Sequence, residues 1–544
     1  MRPCSFAAAL LLAFGILVAR PAAATPLPRV LSEHGRHMLL VDGQPYLMLC
    51  AQVNNSSAWP AMLPKVWPAM DALRVNTVQV PIAWEQIEPT EDHFDFSFLD
   101  TLVAQAREHH LRLVLLWFAT WKNNGPAYAP AWVKLDNRRF PRVLRKDGDT
   151  LDSLSPFASS TLDADRTAFV ALMKHLRAID GDRHTVIMVQ VENETGTYGT
   201  ERDYSAAGDK LLQSPVPAAV LAKTGRAGSL PGVSGRRAGT WASVFGSDAA
   251  EFSYAWAIAH YVEQVAAAGK AAYDLPMYAN VALRDPFHPG PPGSYSSGGP
   301  TDNVLGIWRV AAPSLDLIAP DIYLPEYAKY TAVLDRYSRA DNPLFVGETG
   351  NAAPYARYVF AALGHGAIGF SPFGMDYTGY SNWPLGARKV DADTLKPFAL
   401  DYALLRPIAS LIAKANFQGR VWGASEPEQA HSQQLELGAW TAHIGYGLPQ
   451  FGTPSPRGNP TPRGGVLIVR LGRDEYLVAG EHARVSFQPS GRNAGKHSLF
   501  ERVEEGRYVD GRWQFLRVWN GDQTDYGLNL TSAPQWLRVK LATY

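Results

Sequence analysis

The chain has 544 residues, of which 46% are hydrophobic and 19% charged, and its 51 Lys and Arg residues balance 51 Asp and Glu residues. The large hydrophobic fraction excludes a globally disordered chain. The zero net charge argues against a nucleic-acid binder, which needs a basic surplus, and it provides no attraction to anionic membranes. Aromatic residues make up 11% of the chain, including 15 Trp, and this composition suits a flat, neutral ligand such as a sugar.

The first 24 residues have the pattern of a secretory signal peptide. Arg2 precedes an apolar stretch at residues 6–19, and Ala22-Ala23-Ala24 follows it. The stretch is too short to span a bilayer, and small residues mark a cleavage site. We therefore predict cleavage after Ala24 and an exported bacterial protein, periplasmic or secreted; a buried N-terminal helix is the alternative. No later stretch has about 20 consecutive apolar residues, so we expect no membrane span after cleavage.

The chain has two cysteines, which cannot form a disulfide after signal cleavage. Cys4 would leave with the signal peptide, and Cys50 would remain alone. An exported protein without disulfides depends on its hydrophobic core for stability. Because Cys50 lies in an apolar run, we interpret it as a small buried hydrophobic residue rather than as a nucleophile.

Eight apolar segments of strand length follow one another in the first three quarters of the chain. Several are continuous apolar runs, which are typical of strands covered on both faces in a parallel sheet. Helical patterns separate them, at residues 98–109, 164–178, 249–268 and 353–363. This alternation predicts an α/β fold, a (β/α)8 TIM barrel, with a doubly wound sheet as the alternative. The predicted strands are residues 46–51, 77–81, 113–118, 185–191, 276–281, 315–320, 344–347 and 367–370.

Two insertions rich in Gly, Pro and Ser interrupt this pattern. Residues 195–246 follow the fourth predicted strand, and residues 286–302 follow the fifth. Loops of this length are uncommon in compact domains and are usually functional. We expect them either to cover the mouth of the barrel or to decorate its surface.

The hydrophobic pattern of the sequence changes after residue 400. Residues 401–415 have a helical pattern, and from residue 435 onward short alternating segments dominate. These segments predict a C-terminal all-β accessory domain. We therefore divide the chain into a signal peptide (1–24), a catalytic barrel (25–415) and a β-sandwich-like domain (416–544). The clearest predicted strands of the last domain are residues 465–471, 475–478, 483–488 and 536–541.

Acidic residues end two of the predicted barrel strands. Gln190-Val191-Glu192-Asn193-Glu194 closes the fourth strand, and Gly347-Glu348 closes the seventh. Catalytic residues of TIM barrels lie at the carboxyl ends of the strands, and buried carboxylates are costly unless they are used. An ion-pair network with Lys or Arg is the structural alternative. Two facing carboxyl groups are what glycoside hydrolysis requires, since one protonates the leaving oxygen and the other attacks or activates water.

These motifs resemble those of a known enzyme clan. Asn193-Glu194 after strand four, together with Glu348 after strand seven, resembles the retaining glycoside hydrolases of clan A. The fuller string at residues 190–194 is similar to that of family 35 β-galactosidases, and residues 84–89 and 94–96 support the match. Thr195-Gly196 replaces the usual Tyr-Gly, which points to a divergent bacterial branch. The resemblance implies that Glu194 is the acid/base, Glu348 the nucleophile, and Asn193 a ligand of the sugar 2-hydroxyl.

The resemblance implies a retaining exo-glycosidase that works by double displacement through two glutamates. Its product would be terminal β-linked galactose, released from plant-type oligosaccharides, with xyloglucan fragments as one source. A β-glucosidase or endo-glycanase of the same clan is an alternative, and so is a non-catalytic carbohydrate-binding barrel. A nicotinamide enzyme would rest on the glycine string at residues 364–369, which has a helix before it and a strand after it, the reverse of the required order.

We expect an oligosaccharide substrate and no cofactor, metal, nucleic-acid partner or membrane partner. The β domain would either bracket the barrel or support a homodimer. Glu194 should have a raised pKa because of burial and the charges of Glu192 and Glu348, and Glu348 should receive hydrogen bonds from a Tyr or Arg. Strand-end residues are candidates for substrate binding because they would surround the two glutamates. They are Asn193, Glu192, Asn54, Asn55, Trp121, Lys122, Asn123, Asn280, Tyr323 and Trp383, with Phe373 as a further wall residue.

Overall fold

The structure, a computed structural model, describes residues 25–223, 238–450, 452–453, 456–509 and 511–544. The predicted signal peptide and the middle of the first predicted insertion lie outside the described residues. Within the described ranges, every helix is too short or too polar to cross a membrane.

A small antiparallel sheet precedes the barrel and was not predicted, because its strands are short and partly exposed. It consists of β1 (Arg29–Glu33), β2 (Arg36–Val41) and β3 (Gln44–Tyr46), in that order. Leu39 and Val41 are buried in the same apolar cluster as the inward-facing side chains of the barrel. The sheet therefore closes the end of the barrel at which the strands begin, and it leaves the opposite end for a ligand.

Eight parallel strands form a closed barrel, which confirms the predicted TIM barrel and excludes a doubly wound sheet. All eight predicted strands are present, with small shifts at their ends. Strands β5 and β9 are buried at every position, as expected of strands packed on both faces. The barrel strands are β4 (Met48–Gln52), β5 (Thr77–Ala83), β6 (Arg112–Lys122), β9 (Val186–Asn193), β10 (Met277–Ala282), β11 (Leu317–Ile322), β12 (Phe345–Thr349) and β13 (Gly369–Pro372), and a hairpin of β7 (Arg142–Leu144) and β8 (Thr150–Leu154) lies between β6 and β9.

Helices surround the barrel and pack their apolar faces on its strands. Cys50 is buried in β4, and burial raises the pKa of its thiol, which supports its interpretation as a core residue. The helices up to the last barrel strand are α1 (Leu63–Leu73), α2 (Trp84–Ile87), α3 (Ser97–Glu108), α4 (Ala131–Lys134), α5 (Ser159–Asp180), α6 (Ala206–Leu212), α7 (Ala218–Leu221), α8 (Trp241–Phe245), α9 (Ala249–Ala272), α10 (Leu305–Ala311), α11 (Tyr327–Tyr337), α12 (Ala353–Ala356) and α13 (Tyr358–Gly364).

Two predicted helices are divided in the structure. Residues 353–363 form α12 and α13, which are separated at Arg357. Residues 401–415 span the end of α14 (Ala392–Leu405), a 3-10 turn and the start of α15 (Ala409–Phe417). Pro407 lies in that turn, and because proline has no N–H it removes a helical hydrogen bond. The pattern of apolar residues does not reveal such a break.

Two antiparallel sheets form the C-terminal part, which confirms the predicted all-β accessory region. Their facing side chains make a separate core that includes Trp440, Tyr446 and Val485. The first strand lies against α13, where a Cβ on Gly423 would be 1.9 Å from the Phe360 carbonyl oxygen, so only glycine fits. The strands are β14 (Val421–Ser425), β15 (Ser432–Glu436), β16 (Trp440–Tyr446), β17 (Gly465–Gly472), β18 (Glu475–Glu481), β19 (Ala483–Pro489), β20 (Ser498–Val509), β21 (Arg512–Val518), β22 (Leu528–Leu530) and β23 (Gln535–Thr543).

Candidate active site

A cavity of about 1000 Å³ opens at the carboxyl ends of the barrel strands. Its walls come from the ends of strands β11 and β12 and from the loops after β4, β6, β9, β10, β11 and β13, as expected for a ligand site of a TIM barrel. Carboxyl groups, amides, one ammonium group and tyrosines line it. The lining residues include Asn54, Asn55, Lys122, Asn123, Tyr198, Glu194, Asp321, Tyr323, Glu348, Phe373, Tyr380 and Asn382.

Three carboxyl groups meet in this cavity. Carboxyl oxygens of Glu194, Asp321 and Glu348 all lie within 4.8 Å of one another. Glu194 directly follows β9, and Asp321 and Glu348 face each other in register on the neighbouring strands β11 and β12. The structure thus brings together the two glutamates that the sequence singles out, and it adds an aspartate.

Glu348 is held by two hydrogen-bond donors. Gln52 Nε2 donates to one carboxyl oxygen at 2.8 Å, and the Tyr323 hydroxyl donates to the other at 2.7 Å. Gln79 fixes Gln52 in turn by donating to its side-chain oxygen at 3.1 Å. Hydrogen bonds to a carboxylate favour the ionised form. The expected donor, a Tyr or an Arg, is therefore Tyr323, and Gln52 is a second donor that was not expected.

Glu194 is poised to hold a proton near neutral pH. Burial raises its pKa to about 7, and the negative charge of Glu348 acts in the same direction, whereas the Lys122 ammonium opposes them. The expected contribution of Glu348 is thus confirmed. The expected contribution of Glu192 is wrong, because its carboxyl group accepts a hydrogen bond from the Trp121 backbone N–H at 2.8 Å and is paired with Asp165 behind the strands.

The backbone around Glu194 is strained. Glu192 and Glu194 have φ angles of 63° and 48°, and Asn123 and Asn124 at the end of β6 have 52° and 70°. A non-glycine residue in this left-handed region costs roughly 1–2 kcal/mol, and such residues cluster at functional sites. Asn124 Nδ2 offsets part of the cost by donating to the carbonyl oxygens of Glu194 at 3.1 Å and of Gly196 at 3.0 Å.

The two predicted insertions pack against each other beside this turn. Asn124 Nδ2 also donates to Ser296 Oγ at 2.6 Å, and the backbones of Thr197 and Ser297 form an antiparallel bridge. The insertion after β9 brings Tyr198 to the cavity wall. These contacts give both insertions a structural role in holding the Glu194 loop.

Asn193 and Asn280 are buried beneath the cavity floor and hold the residues of the site through hydrogen bonds. Asn280 Oδ1 accepts a hydrogen bond from the Glu194 backbone N–H at 2.9 Å, and its Nδ2 donates to Asn193 Oδ1 at 3.1 Å and to Asp321 Oδ2 at 2.7 Å. Asn193 Nδ2 reaches Asn123 Oδ1 at 3.3 Å. Neither residue is among those that line the cavity, so in this structure they position the carboxyl groups.

Two of the predicted sugar-binding aromatic residues do not line the cavity. Trp121 is fully buried and packs edge-on against Tyr261 of α9, with ring centroids 4.9 Å apart. Successive side chains of a strand point to opposite faces, so Lys122 enters the cavity while Trp121 faces the helices. Trp383 is 54% exposed outside the cavity wall and stacks with the Arg388 guanidinium, 3.8 Å from the ring centroid.

Asp321 is the main residue that the sequence analysis missed. The predicted sixth strand ended at Pro320, two residues before the end of β11, so Asp321 was not recognised as a strand-end carboxylate. The same signal that identified Glu348 could have found it. Gln52 and Gln79 were also missed, although each is a polar residue in an otherwise apolar strand.

A resident metal does not fit this group of carboxylates well. Both oxygens of Glu348 already accept hydrogen bonds from neutral donors, and the Lys122 ammonium lies close enough to influence Glu194 and Asp321. This arrangement suits carboxyl groups that exchange protons. Gly347 and Gly350 face protein atoms and not the cavity, because a Cβ at these positions would meet Ala319 and Tyr355.

Comparison with known proteins identifies related sequences and structures. A β-galactosidase of Xanthomonas manihotis is 30% identical over 176 residues, which are 30% of this chain and 26% of that protein. The crystal structure of the β-galactosidase of Bacillus circulans sp. alkalophilus has a TM-score of 0.48 at 13% identity, covering 68% of this chain and 57% of the other. The crystal structure of the β-galactosidase of the psychrophilic Marinomonas ef1 has a TM-score of 0.46 at 13% identity, covering 68% of this chain and 61% of the other. The chain thus spans about a quarter of the curated relative's length.

Two family models match different parts of the chain. Residues 56–213 match the model Glyco_hydro_42, described as "Beta-galactosidase". Residues 56–213 are therefore similar to clan A β-galactosidases. The match includes the string at residues 190–194 but does not single out family 35, which stays a prediction. Residues 398–531 match a domain of unknown function, DUF5597.

Proposed function

We propose that the protein is a retaining exo-glycosidase that releases terminal β-linked galactose. The observation that carries the proposal is the distance between the two glutamates, whose carboxyl oxygens lie within 4.8 Å of each other. Retaining enzymes place their carboxyl groups about 5–5.5 Å apart, whereas inverting enzymes leave about 6.5–9.5 Å for a water molecule. One oxygen of each carboxyl group lies closer to the other than the separation of an inverting pair, and this proximity supports retention.

The proposed roles follow from the surroundings of each carboxyl group. Glu348, ionised between Gln52 and Tyr323, attacks the anomeric carbon and forms a covalent glycosyl-enzyme ester. Glu194 gives its proton to the glycosidic oxygen as the bond to the aglycone breaks. It then takes a proton from a water molecule, whose oxygen attacks the anomeric carbon and releases Glu348. Each step uses the protonation state that the site favours.

The cavity supports an oligosaccharide substrate. The side-chain amides of Asn54, Asn55 and Asn123 can form hydrogen bonds with sugar hydroxyls, and so can the Lys122 ammonium group. Tyr198 and Tyr380 are 46% and 60% exposed at the cavity wall, where they can pack against further sugar rings. The similarity of residues 56–213 to β-galactosidases favours galactose, and plant-type oligosaccharides, including xyloglucan fragments, are the proposed source.

Other sugars and a non-catalytic role are the competing proposals. A β-glucosidase or endo-glycanase would use the same two glutamates, so the carboxyl geometry does not separate them from a β-galactosidase. A purely carbohydrate-binding barrel has no need for two carboxyl groups in reactive geometry or for a raised pKa at one of them. We further propose an exported protein that acts without cofactor and without a nucleic-acid or membrane partner, with a homodimer formed through the β domain.

A panel of aryl β-glycosides that differ in one hydroxyl tests the sugar, and proton NMR of the first product tests the stereochemistry. We expect the aryl β-galactoside to be hydrolysed fastest and β-galactose to appear before mutarotation. Faster hydrolysis of the aryl β-glucoside would identify the protein as a β-glucosidase instead of a β-galactosidase. Initial α-galactose would overturn the retaining mechanism.

A further inference from the structure

Asp321 lies beside both proposed catalytic glutamates and has an unused oxygen atom. Its residue exposure is 2%, and its Oδ2 accepts a hydrogen bond from Asn280 Nδ2 at 2.7 Å. Oδ1 is buried and has no amide, amine or hydroxyl partner among the described residues, and the carboxyl group of Asp321 lies within hydrogen-bonding reach of the Glu194 carboxyl group. A Cβ at Gly347 would lie 3.1 Å from this oxygen, so the glycine leaves the space in which Oδ1 sits.

The charges around Asp321 do not balance if all three carboxyl groups are ionised. Three negative charges would then lie within 4.8 Å of one another, and Lys122 is the cation that influences Glu194 and Asp321. Glu348 takes donors on both oxygens, which stabilises its ionised form. Carboxyl groups that share a buried site do not both ionise readily, so one proton has to remain on Glu194 or Asp321.

We infer that Glu194 and Asp321 share one proton and that Asp321 is a positioning residue that keeps this proton available to Glu194. The inference rests on the proposed function. Oδ1 of Asp321 is the atom that completes the shared hydrogen bond, and Asn280 holds the other oxygen of the aspartate. The pair together carries one proton and one negative charge before the reaction.

The proton balance of the proposed reaction fits this pair. When Glu348 forms the ester it loses its negative charge, and the pair gains one as its proton leaves with the aglycone oxygen. The total charge of the site is unchanged in this step. Hydrolysis reverses it, because the proton taken from water returns to the pair while Glu348 becomes a carboxylate again.

The phenols around the pair do not ionise near neutral pH. Tyr278 of β10 and Tyr323 of β11 are buried, and burial raises the pKa of both phenols well above the usual value. Tyr198, in the loop after β9, also has a raised pKa because of burial. Lys122 of β6 contributes a positive charge to the pair. The proton that leaves the site in this pH range is therefore one of the carboxyl protons.

Asp321→Asn tests the inference, because it keeps the shape and removes the charge. The pH profile of kcat/KM is measured with an oligosaccharide or alkyl galactoside, which needs protonation, and with an activated aryl galactoside, which does not. Without the neighbouring carboxylate, the midpoint of the alkaline limb should fall by about one pH unit or more. At pH 7 the loss should be about tenfold or more for the poor leaving group and small for the activated one.

Asp316→Asn is the matched control. Asp316 precedes β11 at the opposite end of the strand and pairs with Lys270 at 2.7 Å. Its substitution should leave the profile unchanged. An unshifted alkaline limb in Asp321→Asn, or equal losses on both substrates, would show that Asp321 is only structural.

A measurement that does not require activity separates this inference from the proposed function. Infrared spectroscopy follows the carboxylic acid C=O band of wild type, Asp321→Asn and Glu194→Gln as pH rises. In wild type we expect one carboxylic acid band that disappears near neutral pH. In each variant the one carboxyl group that remains of the pair should lose its proton at a lower pH. If Asp321→Asn does not fold, Glu194→Gln reports the same coupling from the other side. Titration of either partner unaltered by loss of the other would overturn the inference, whatever the enzyme hydrolyses.

Discussion

Glu194 and Glu348 bring their carboxyl oxygens within 4.8 Å of each other, although they lie 154 positions apart in the chain (348 − 194). Each stands at the carboxyl end of a barrel strand, and their surroundings differ. Glu348 accepts hydrogen bonds from two neutral donors, while burial raises the pKa of the Glu194 carboxyl group to about 7. This asymmetry separates a group suited to stay ionised from one suited to hold a proton.

Glu348→Ala should abolish turnover while the protein stays folded. Loss of a covalent nucleophile typically lowers kcat by about 10⁴-fold or more. The measurement is kcat on an aryl galactoside together with the thermal unfolding midpoint. Glu326→Ala, at an exposed glutamate before α11, is the control and should keep full activity. Near-normal hydrolysis by Glu348→Ala would remove Glu348 from the mechanism.

Glu194→Ala should discriminate between substrates by their leaving groups. Proton donation contributes about 10²–10⁴-fold, but only where the leaving oxygen needs a proton. We expect a loss in that range on oligosaccharides and a much smaller loss of kcat/KM on activated aryl galactosides. Measured kcat/KM values for a series of leaving groups check this. Equal losses across the series would count against Glu194 as the acid.

Tyr323→Phe should weaken catalysis without unfolding the barrel. The variant removes the hydroxyl that donates to Glu348 at 2.7 Å. A hydrogen bond to a charged group contributes about 1.5–3 kcal/mol, so kcat/KM should fall about 10- to 100-fold. Tyr330→Phe is the matched control, since its hydroxyl contacts Thr349 at 3.1 Å instead of a carboxylate. Similar losses in both variants would make the Tyr323 contact structural.

The pKa of Glu194 predicts an alkaline loss of activity. The acid must be protonated, so kcat/KM should be retained below pH 7 and should fall as the pH rises through about 7. A pH profile with the wild-type protein checks the midpoint of that limb. Activity that stays constant to pH 9 on a substrate with a poor leaving group would contradict the assignment.

The same raised pKa predicts that Glu194 destabilises the fold at high pH. A carboxyl group whose folded pKa lies near 7, above the usual 4.5, favours folding less and less as the pH rises from 4.5 through 7. Glu194→Gln should therefore increase the free energy of unfolding by about 1–3 kcal/mol at pH 8 and by little at pH 4.5. Denaturant unfolding at the two pH values measures it. A variant less stable than wild type at pH 8 would show that burial does not penalise the charge.

The barrel could be predicted from the sequence because its signals are local. Mainly apolar segments such as residues 77–81 and 185–191 identify buried strands, and acidic residues that follow such strands mark the functional end. The roles assigned to Glu194 and Glu348 depended on a resemblance of short motifs, and the structure adds the distance between them, which the sequence does not contain.

The remaining features depend on contacts between distant segments. Whether Trp121 or Lys122 faces the cavity depends on the register of β6, and the strand pattern is buried on both sides, so hydrophobicity does not decide it. The proximity of Asp321 to Glu348 follows from the pairing of β11 with β12, which the sequence does not contain. The apolar pattern of residues 401–415 also fits one continuous helix, so it did not reveal the break at Pro407. The strands of the N-terminal sheet are too short and too exposed to give a strand pattern.

Trapping of the glycosyl-enzyme intermediate tests the central claim most directly. A 2-deoxy-2-fluoro-β-galactoside with an activated leaving group slows release of the intermediate, and peptide mass spectrometry locates the sugar. We expect time-dependent inactivation, one 2-deoxy-2-fluorogalactosyl adduct per chain on Glu348, and recovery of activity as the adduct hydrolyses. Inactivation with the sugar on another residue, or normal turnover of β-galactosides with no adduct, would contradict the two-glutamate retaining mechanism.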